Sequence, residues 1–527
     1  MPMLKRHWFA LAAGAICFAW AFAGWLTVIP NQDILADGIQ VQSLLHHPHL
    51  VLSFPGQKHA GPIEYPVQLL AEMVAPGNYY VHTLFRTFLA FLTGFLAAKL
   101  YLTLFPAARR WSFLAAIAVG PSIIHGLLGP SSNPVGVWWL QPYWDMAWLF
   151  VTAGAYVVAR QLNRIEVSVR VPRKSMSLVA VGGLLVGLGF FAHPAITILI
   201  FPLLVLVVLR LRVSVQMTVV CIAGAIFGVF PSVISYVVNS GSINTWDPSH
   251  GPMINVPLYG AALGINGNPD YMLALLPFAV GLSPSGTLIP PVAQSLLMWG
   301  FLVLLVAVTA IGVNGAWRNR TRPTPATAIA ISWLAAAVAI IGFSTLIDPV
   351  WIYATGLSVL FWISVGVLPS AFAHRWVGIA LTACVLLIVA GSTVTHNWTF
   401  YSQFTTRMQA KQDYMNTNDA VAEALVAGGA AFVYGSYYDA IPIGYASAYK
   451  LRTITNHYNR FPLTSEEENK GEVTVAVNSA PTDPWGDEAL QTVLASCEPD
   501  SKSKSESAGV AGYQIFTCPT SLLMGQK

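Results

Sequence analysis

The sequence predicts an α-helical membrane protein with about 11 transmembrane helices and a small exported C-terminal α/β domain. Of its 527 residues, 55% are hydrophobic and 9% are charged, and the mean hydropathy is +0.59. Soluble globular chains carry about 25% charged residues, so this composition excludes a soluble protein. Eleven apolar runs approach the roughly 20 residues that cross a hydrocarbon core, which predicts the transmembrane part. The last 132 residues have a different composition, which predicts a separate domain.

The apolar runs follow one another through most of the chain. They cover residues 8–30, 79–98, 111–129, 143–159, 176–192, 195–209, 217–238, 294–316, 326–346, 350–372 and 376–394. The first run has the basic start of a cleaved signal peptide, but it continues through Ile29 and is longer than such a segment requires. We therefore expect a transmembrane module over residues 1–396 and an extracytoplasmic domain over residues 397–527.

Basic residues indicate how the spans are oriented. Of the 18 Lys and Arg residues between positions 1 and 395, 16 fall in alternate connections between the apolar runs. By the positive-inside rule, those connections are cytoplasmic. An odd number of spans then places the C-terminal domain on the opposite, extracytoplasmic side.

The tail reads as a small α/β unit. Asn418 is expected to cap a helix that ends at Gly428 and Gly429. Short runs of strand-forming residues follow, and they cover residues 431–434, 472–477 and 513–517.

Two cysteines lie in the tail, Cys497 and Cys518. In an exported domain such a pair predicts a disulfide. Two unpaired thiols are the alternative.

Two external loops are long, residues 31–78 and residues 239–293. Loops of this length in a compact protein are usually functional or disordered. The first loop is not disordered in composition, because it contains two apolar clusters that would lie as interfacial helices. It also holds carboxylates, histidines and a lysine, so we expect the chemistry there.

Asp33 and Asp37 directly follow the first span. Their spacing of four places both on one face of a helix. One of them would serve as a general base at the membrane surface, where partial burial keeps a carboxylate basic enough to take a proton. The alternative for Asp33 is a helix cap.

The first loop then contains a Gly56-Gln57 step, Gly61 and Glu64. This order resembles the first-loop signature of bacterial membrane glycosyltransferases with the GT-C fold, the superfamily of the protein mannosyltransferases and aminoarabinose transferases. Asp33 lies 31 residues before Glu64, which fits that group's spacing.

Three further features contribute to the resemblance. They are an arginine inside the second span at Arg86, the step Tyr437-Tyr438-Asp439-Ala440 and the step Asn459-Arg460-Phe461-Pro462. Two departures are that Ile34 stands where a second acid often follows Asp33, and that Tyr438 replaces a tryptophan. The first departure leaves open whether Asp33 or Asp37 is the base.

The resemblance implies a reaction and its partners. The donor would be a sugar on a polyprenyl-phosphate carrier, the acceptor a glycan, lipid or protein, and the location the extracytoplasmic face of a bacterial cytoplasmic membrane. The acceptor oxygen would displace the phosphate and invert the anomeric carbon. The departing phosphate needs a cation, for which Arg86 is the first candidate and Lys58 the second.

Other residues have alternative roles. Gln57, His59 and Glu64 would contact the donor or substrate, or orient the base. Arg86 would otherwise extend to the membrane interface, and His193 is either a turn residue or a phosphate contact. A divalent cation shared by Asp33, Asp37 and Glu64 is compatible with the residues but not required by them.

Two rival classes remain open. A transporter or flippase would carry ionisable residues at the membrane midplane, whereas these span centres are nearly free of charge. A non-catalytic assembly subunit would have the same topology and lack only the first-loop chemistry. We find no phosphate-binding loop or dinucleotide fingerprint, and membrane lipids, not nucleic acid, are the expected surroundings.

Overall fold

A computed structural model describes residues 2–30, 32–48, 51, 61–119, 144–164, 172–193, 196–238, 291–319, 321–344, 357–372, 374–456, 470–481, 483–499 and 512–524. The helices before the tail are α1 Pro2–Thr27, α2 Gln32–His46, α3 Tyr65–Val74, α4 Tyr79–Leu104, α5 Arg110–Val119, α6 Trp144–Arg164, α7 Arg173–Ala192, α8 Thr197–Arg210, α9 Val215–Val238, α10 Pro291–Asn319, α11 Pro325–Ser344, α12 Ser358–Val367 and α13 Arg375–Ser402. The tail elements are α14 Phe404–Ala427, β1 Phe432–Gly435, α15 Tyr437–Ala446, β2 Arg452–Thr455, β3 Glu472–Asn478, α16 Pro484–Ser496, β4 Glu498–Pro499, β5 Tyr513–Pro519 and α17 Thr520–Met524.

Each of the 11 predicted apolar runs contains an α-helix in the part that the structure describes. Within the described residues, four helical segments are long and apolar enough to cross a membrane: His7–Thr27, Tyr79–Leu104, Arg173–Ala192 and Val215–Ile234. Six shorter apolar helical segments coincide with other predicted runs. By length and composition this is a membrane protein, and the total of 11 spans stays a prediction.

Helix α9 has the surface expected of a lipid-facing span. Val219, Ile226 and Phe227 are each more than half exposed on it. An apolar surface of this size is unstable in water and stable against hydrocarbon. The exposed face therefore agrees with a position at the edge of the bundle.

The tail contains a five-stranded sheet in the order β2-β1-β3-β5-β4. Strand β1 runs parallel to β2 and β3, and β5 runs antiparallel to β3 and β4. Side chains alternate between the two faces of a strand. Phe432 and Tyr434 accordingly pack against α16, while Val433 packs with α14 and α15 on the opposite face.

The structure confirms several tail predictions and corrects one. Strands β1, β3 and β5 lie within two residues of the predicted runs, and the helix ends before Gly428 as expected. Strands β2 and β4 were not predicted. The prediction that Asn418 caps this helix is wrong, because α14 begins at Phe404 and Asn418 lies in its interior. Phe404, Met408, Lys411 and Met415 recur at spacings of three and four, which is the period of a helix. The local capping preference of Asn418 therefore does not decide where the helix starts.

A disulfide joins Cys497 and Cys518, as predicted. It links the end of α16 to β5. The bond therefore fastens one helical layer of the tail to the sheet.

Helix α2 packs against the tail. Ile34, Leu35 and Ile39 on α2 form one buried cluster with Ile441 and Tyr445 on α15. Several buried polar side chains lie around this junction of α2 and α15.

Candidate functional site

Arg86 is the centre of a buried group of charged side chains. Its guanidinium pairs with the Glu64 carboxylate, and Nη2 lies 3.9 Å from Oδ2 of Asp37 while Nη1 lies 3.5 Å from Oδ2 of Asp145. All four side chains are at most 2% exposed. The Gln68 amide donates hydrogen bonds to Asp37 and, over 3.2 Å, to Glu64. We call Asp37, Glu64, Gln68, Arg86 and Asp145 the Arg86 cluster.

Four helices bring the Arg86 cluster together. Asp37 lies on α2, Glu64 immediately precedes α3, Arg86 lies two turns into α4, and Asp145 is the second residue of α6. The chain before Glu64 is fixed because the Gly61 amide donates to the carbonyl oxygens of Phe191 and Ala192. The first loop is thus attached to the end of α7.

The cluster has more carboxylates than guanidinium groups. Burying ionised groups costs several kcal/mol each, and attraction within an ion pair often fails to recover that cost. Ionisable side chains inside a membrane protein are rare and mark functional sites by default. A functional role therefore explains the Arg86 cluster better than a contribution to packing does.

Helix α3 has its polar side inward. Gln68 and Glu72 are buried, whereas Leu70 and Met73 are 64% and 67% exposed. A helix at the surface of a soluble protein has the opposite arrangement. This inversion fits the predicted interfacial helix, with the apolar face toward lipid and the polar face toward the site.

Glu72 forms a second buried group beside the first. Its carboxylate accepts hydrogen bonds from Gln42 Nε2 at 3.0 Å, the Gly77 amide at 2.9 Å and the Tyr445 hydroxyl at 2.9 Å, and it contacts Nδ1 of His82 at 2.8 Å. Burial, followed by the nearby Glu72 charge, raises the pKa of Tyr445 well above its usual value. Tyr445 therefore remains a hydrogen-bond donor, and it ties the tail to the first loop.

Gly38 makes this contact between α2 and α15 possible. A Cβ atom at position 38 would lie 2.3 Å from Cε2 of Tyr445, which is closer than carbon atoms approach. Only glycine allows the Tyr445 ring to lie this near the α2 backbone.

Asp33 lies in a different environment from Asp37. It is the second residue of α2, not its cap, and it is partly exposed. The Tyr437 hydroxyl donates a 2.7 Å hydrogen bond to Oδ1 of Asp33. The two candidate bases thus share a helix, but Asp37 joins the Arg86 cluster and Asp33 meets the tail.

Lys411 is a buried cation at the same junction. Its ammonium donates to the Trp25 carbonyl oxygen and lies 4.5 Å from the ring centroids of Tyr79 and Tyr80. Burial lowers the pKa of Lys411 to about 7. Contact with aromatic faces stabilises the protonated form in part, so Lys411 attaches α14 to the ends of α1 and α4.

The remaining predicted site residues are placed as follows. His193 is buried at the end of α7, directly after the two carbonyl groups that hold Gly61. Gln57, Lys58 and His59 lie outside the described residues, as do Asn459 and Arg460 of the second tail motif. In the part of the chain that the structure describes, no group of three or more His, Cys, Asp or Glu side chains is arranged to hold a metal ion.

Sequence reasoning missed four participants, Gln68, Asp145, Lys411 and Tyr445. Asp145 had a signal, because an acid at the outer end of an apolar run needs a partner. The other three have no local signal, since their roles depend on contacts between distant segments.

Comparisons with known proteins found no matching family model and no matching curated protein. Among solved structures, the chain is similar to ArnT from Cupriavidus metallidurans bound to undecaprenyl phosphate, with 12% identity, 98% of each chain covered and a TM-score of 0.48. It is also similar to the oligosaccharyltransferase AglB from Archaeoglobus fulgidus in complex with an inhibitory peptide and a dolichol-phosphate, with 12% identity, 99% of this chain and 77% of that chain covered, and a TM-score of 0.44.

A third match is the apo form of an Archaeoglobus fulgidus oligosaccharyltransferase, with 13% identity and a TM-score of 0.42. That match covers 86% of this chain, which spans 65% of the length of the oligosaccharyltransferase. All three TM-scores are below 0.5.

Proposed function

We propose that the chain is an integral membrane glycosyltransferase that moves a sugar from a polyprenyl-phosphate carrier to an acceptor hydroxyl on the extracytoplasmic face. The observation that carries the proposal is the convergence of Asp37, Glu64 and Asp145 on the buried Arg86, beside a partly exposed Asp33. A membrane protein has no packing reason to bury such a set of charges.

In the proposed reaction Asp33 is the general base. It is partly exposed, so an acceptor can approach it, whereas Asp37 is fully buried and engaged with Gln68 and Arg86. The acceptor oxygen bonds to the anomeric carbon as the bond between that carbon and the phosphate oxygen breaks. The acceptor proton passes to Asp33, and polyprenyl phosphate leaves with the electron pair.

The Arg86 cluster has a positioning role in this scheme. Arg86 already faces three carboxylates, so we assign it to fixing α2, α3 and α6 around the base. Lys58, one of the first-loop residues outside the described ranges, then becomes the better candidate to neutralise the departing phosphate.

Transfer of radiolabelled sugar from polyprenyl-phosphate donors, measured with purified protein in lipid nanodiscs, tests the proposal. Loss of a general base costs about 100-fold to 10,000-fold in rate. We therefore expect Asp33→Asn to remove measurable transfer, while Asp413→Asn, an exposed acid on α14, behaves as wild type.

Two outcomes would contradict the scheme. If wild-type protein transfers no sugar from any polyprenyl-phosphate donor, the proposed function is wrong. If Asp33→Asn retains full transfer, the function survives and the assignment of Asp33 as the base fails.

A further inference from the structure

Two aromatic rings lie exposed and parallel on the tail. Tyr438 and Trp485 have ring centroids 6.3 Å apart and planes that differ by 7°. Their side chains are 53% and 37% exposed. Folding normally removes large aromatic surfaces from water because their burial is so favourable. A parallel, exposed pair in a folded domain therefore suggests a ligand surface.

The pair is held in place by two helix N-termini. Ser436 caps α15 and Asp483 caps α16, and the Ser436 hydroxyl donates a 2.8 Å hydrogen bond to Oδ2 of Asp483. The other Asp483 oxygen accepts from the backbone amides of Trp485 and Gly486, at 3.0 Å and 2.9 Å. One buried hydroxyl thus joins the two turns that carry the rings.

The two turns also approach each other closely. A Cβ atom at position 486 would lie 2.6 Å from Oδ2 of Asp439, on α15. Glycine at this position lets α16 approach α15 and bring Trp485 alongside Tyr438. The ring pair is therefore preorganised, which reduces the entropy that a ligand loses on binding.

The ring pair continues toward the candidate base. Tyr437 precedes Tyr438 in the chain, their ring centroids are 6.2 Å apart with planes at 81°, and the Tyr437 hydroxyl donates a hydrogen bond to Asp33. Tyr437 thus links the parallel pair to Asp33, edge-on to the Tyr438 ring. We call these three side chains the aromatic row.

We propose that the aromatic row binds a saccharide chain, so that the acceptor is a glycan and not a lipid or a protein. This inference rests on the proposed function, since it takes Asp33 as the point of transfer. Sugar rings present flat C–H faces that stack on aromatic rings, much as bases stack on aromatic side chains along a single strand. Sugars of one chain would lie on the Tyr438 and Trp485 faces, with the terminal hydroxyl reaching Asp33 beside Tyr437.

The size of the surface favours a glycan over a protein partner. A stable protein interface buries about 800 Å² on each partner, far more than two side chains offer. Asp439 and Asp483 lie beside the rings, where their carboxylates accept hydrogen bonds from the Ser436 hydroxyl and, at Asp483, from the Trp485 amide. Aromatic faces bordered by hydrogen-bond acceptors match a polyhydroxylated chain.

Binding of fluorescently tagged glycans to the full-length protein in nanodiscs tests this inference without using transfer. The probes are disaccharide and octasaccharide fractions, released by mild acid from the cell envelope of the producing organism. We expect the octasaccharide to bind more tightly than the disaccharide. Because an aromatic stack is worth about 0.5 to 1.5 kcal/mol, Tyr438→Ala combined with Trp485→Ala should weaken octasaccharide binding about ten-fold or more.

Two control variants separate stacking from folding. Tyr438→Phe retains the ring face and should recover the octasaccharide binding that Tyr438→Ala loses. Leu494→Ala changes an exposed apolar residue on the same helix, away from the rings, and should also bind as wild type. The disulfide-linked fold of each variant is checked by its melting temperature.

The results distinguish the two proposals. Suppose that wild-type protein transfers sugar, but that the octasaccharide binds wild type and the double-alanine variant equally, or binds neither. The aromatic row is then not a glycan-binding surface, and the proposed transferase function stands. If the octasaccharide binds through the rings but no polyprenyl-phosphate donor supports transfer, the binding surface remains and the proposed function fails.

Discussion

The Tyr437 hydroxyl donates a hydrogen bond to the Asp33 carboxylate, although 404 positions separate the two residues in the chain. The first loop supplies the acid and the tail supplies its donor. The candidate site is consequently assembled from both ends of the chain, and each end can be tested separately.

Tyr437→Phe removes this donor and leaves the ring. A hydrogen bond to a charged group contributes about 1.5 to 3 kcal/mol, so losing it should misplace the carboxylate and slow transfer about ten-fold or more. Steady-state kinetics in nanodiscs provide the measurement, with Tyr438→Phe as the control. Unchanged kinetics would mean that Tyr437 does not orient Asp33.

Arg86→Gln leaves three buried carboxylates facing a neutral side chain. Removing one partner from a buried ionic group costs about 3 to 5 kcal/mol. We expect a clear fall in melting temperature, and Glu64→Gln in the same protein should recover part of it because one of the facing charges is gone. Arg375→Gln changes an exposed arginine and serves as the control. If Arg86→Gln and wild type have the same melting temperature, electrostatic attraction does not stabilise the Arg86 cluster.

Lys411 predicts how stability depends on pH. Its pKa is about 7 in the folded protein and about 10.4 in an unfolded chain, so the unfolded state binds the extra proton between these values. The stability should therefore rise as pH increases from about 7 toward 10, and the full cost of the buried charge is present below pH 7.

Lys411→Met removes that charge. The variant should be more stable than wild type at pH 6, by at most about 5 kcal/mol, and the difference should shrink at pH 9. Thermal melts of nanodisc samples at both pH values measure it, with Lys450→Met, an exposed lysine, as the control. If the stability difference between Lys411→Met and wild type does not change with pH, the pKa of Lys411 is not lowered in the folded protein.

The inverted face of α3 predicts contact with lipid. Leu70→Cys and Met73→Cys, placed in a background with Cys17, Cys221 and Cys384 replaced by alanine, would carry a fluorophore on the exposed apolar side. Spin-labelled lipids should quench that fluorophore, whereas the same label at Glu423→Cys on α14 should remain bright. If a charged, water-soluble maleimide reaches positions 70 and 423 at the same rate, α3 faces water and the prediction fails.

The sequence indicated the helices because a continuous apolar run has one stable form in lipid. It also indicated the tail strands and the Cys497–Cys518 disulfide, because strand composition and cysteine context are local signals. Asn418 shows the limit of such signals, since a capping preference worth about 1 kcal/mol does not interrupt a helix whose neighbours favour it.

Contacts between helices were not predictable in the same way. Arg86 and Asp145 are 59 positions apart, and the roles of Gln68, Lys411 and Tyr445 depend on how separate segments pack. The first-loop motif identified Glu64 and both aspartates as candidates. It could not reveal that Asp37 is buried with Arg86 while Asp33 stays accessible, because the two differ only in which neighbour covers them.

The hydrogen bond from Tyr445 to Glu72 has a consequence for biosynthesis. Glu72 leaves the ribosome 373 residues before Tyr445 does, so the pocket around it stays open while almost all the remaining helices are inserted. During that interval lipid or an insertion factor has to shield α2 and α3. Helix α15 then completes the buried group around Glu72, and chains that stop short of the tail would be exposed to quality-control proteases.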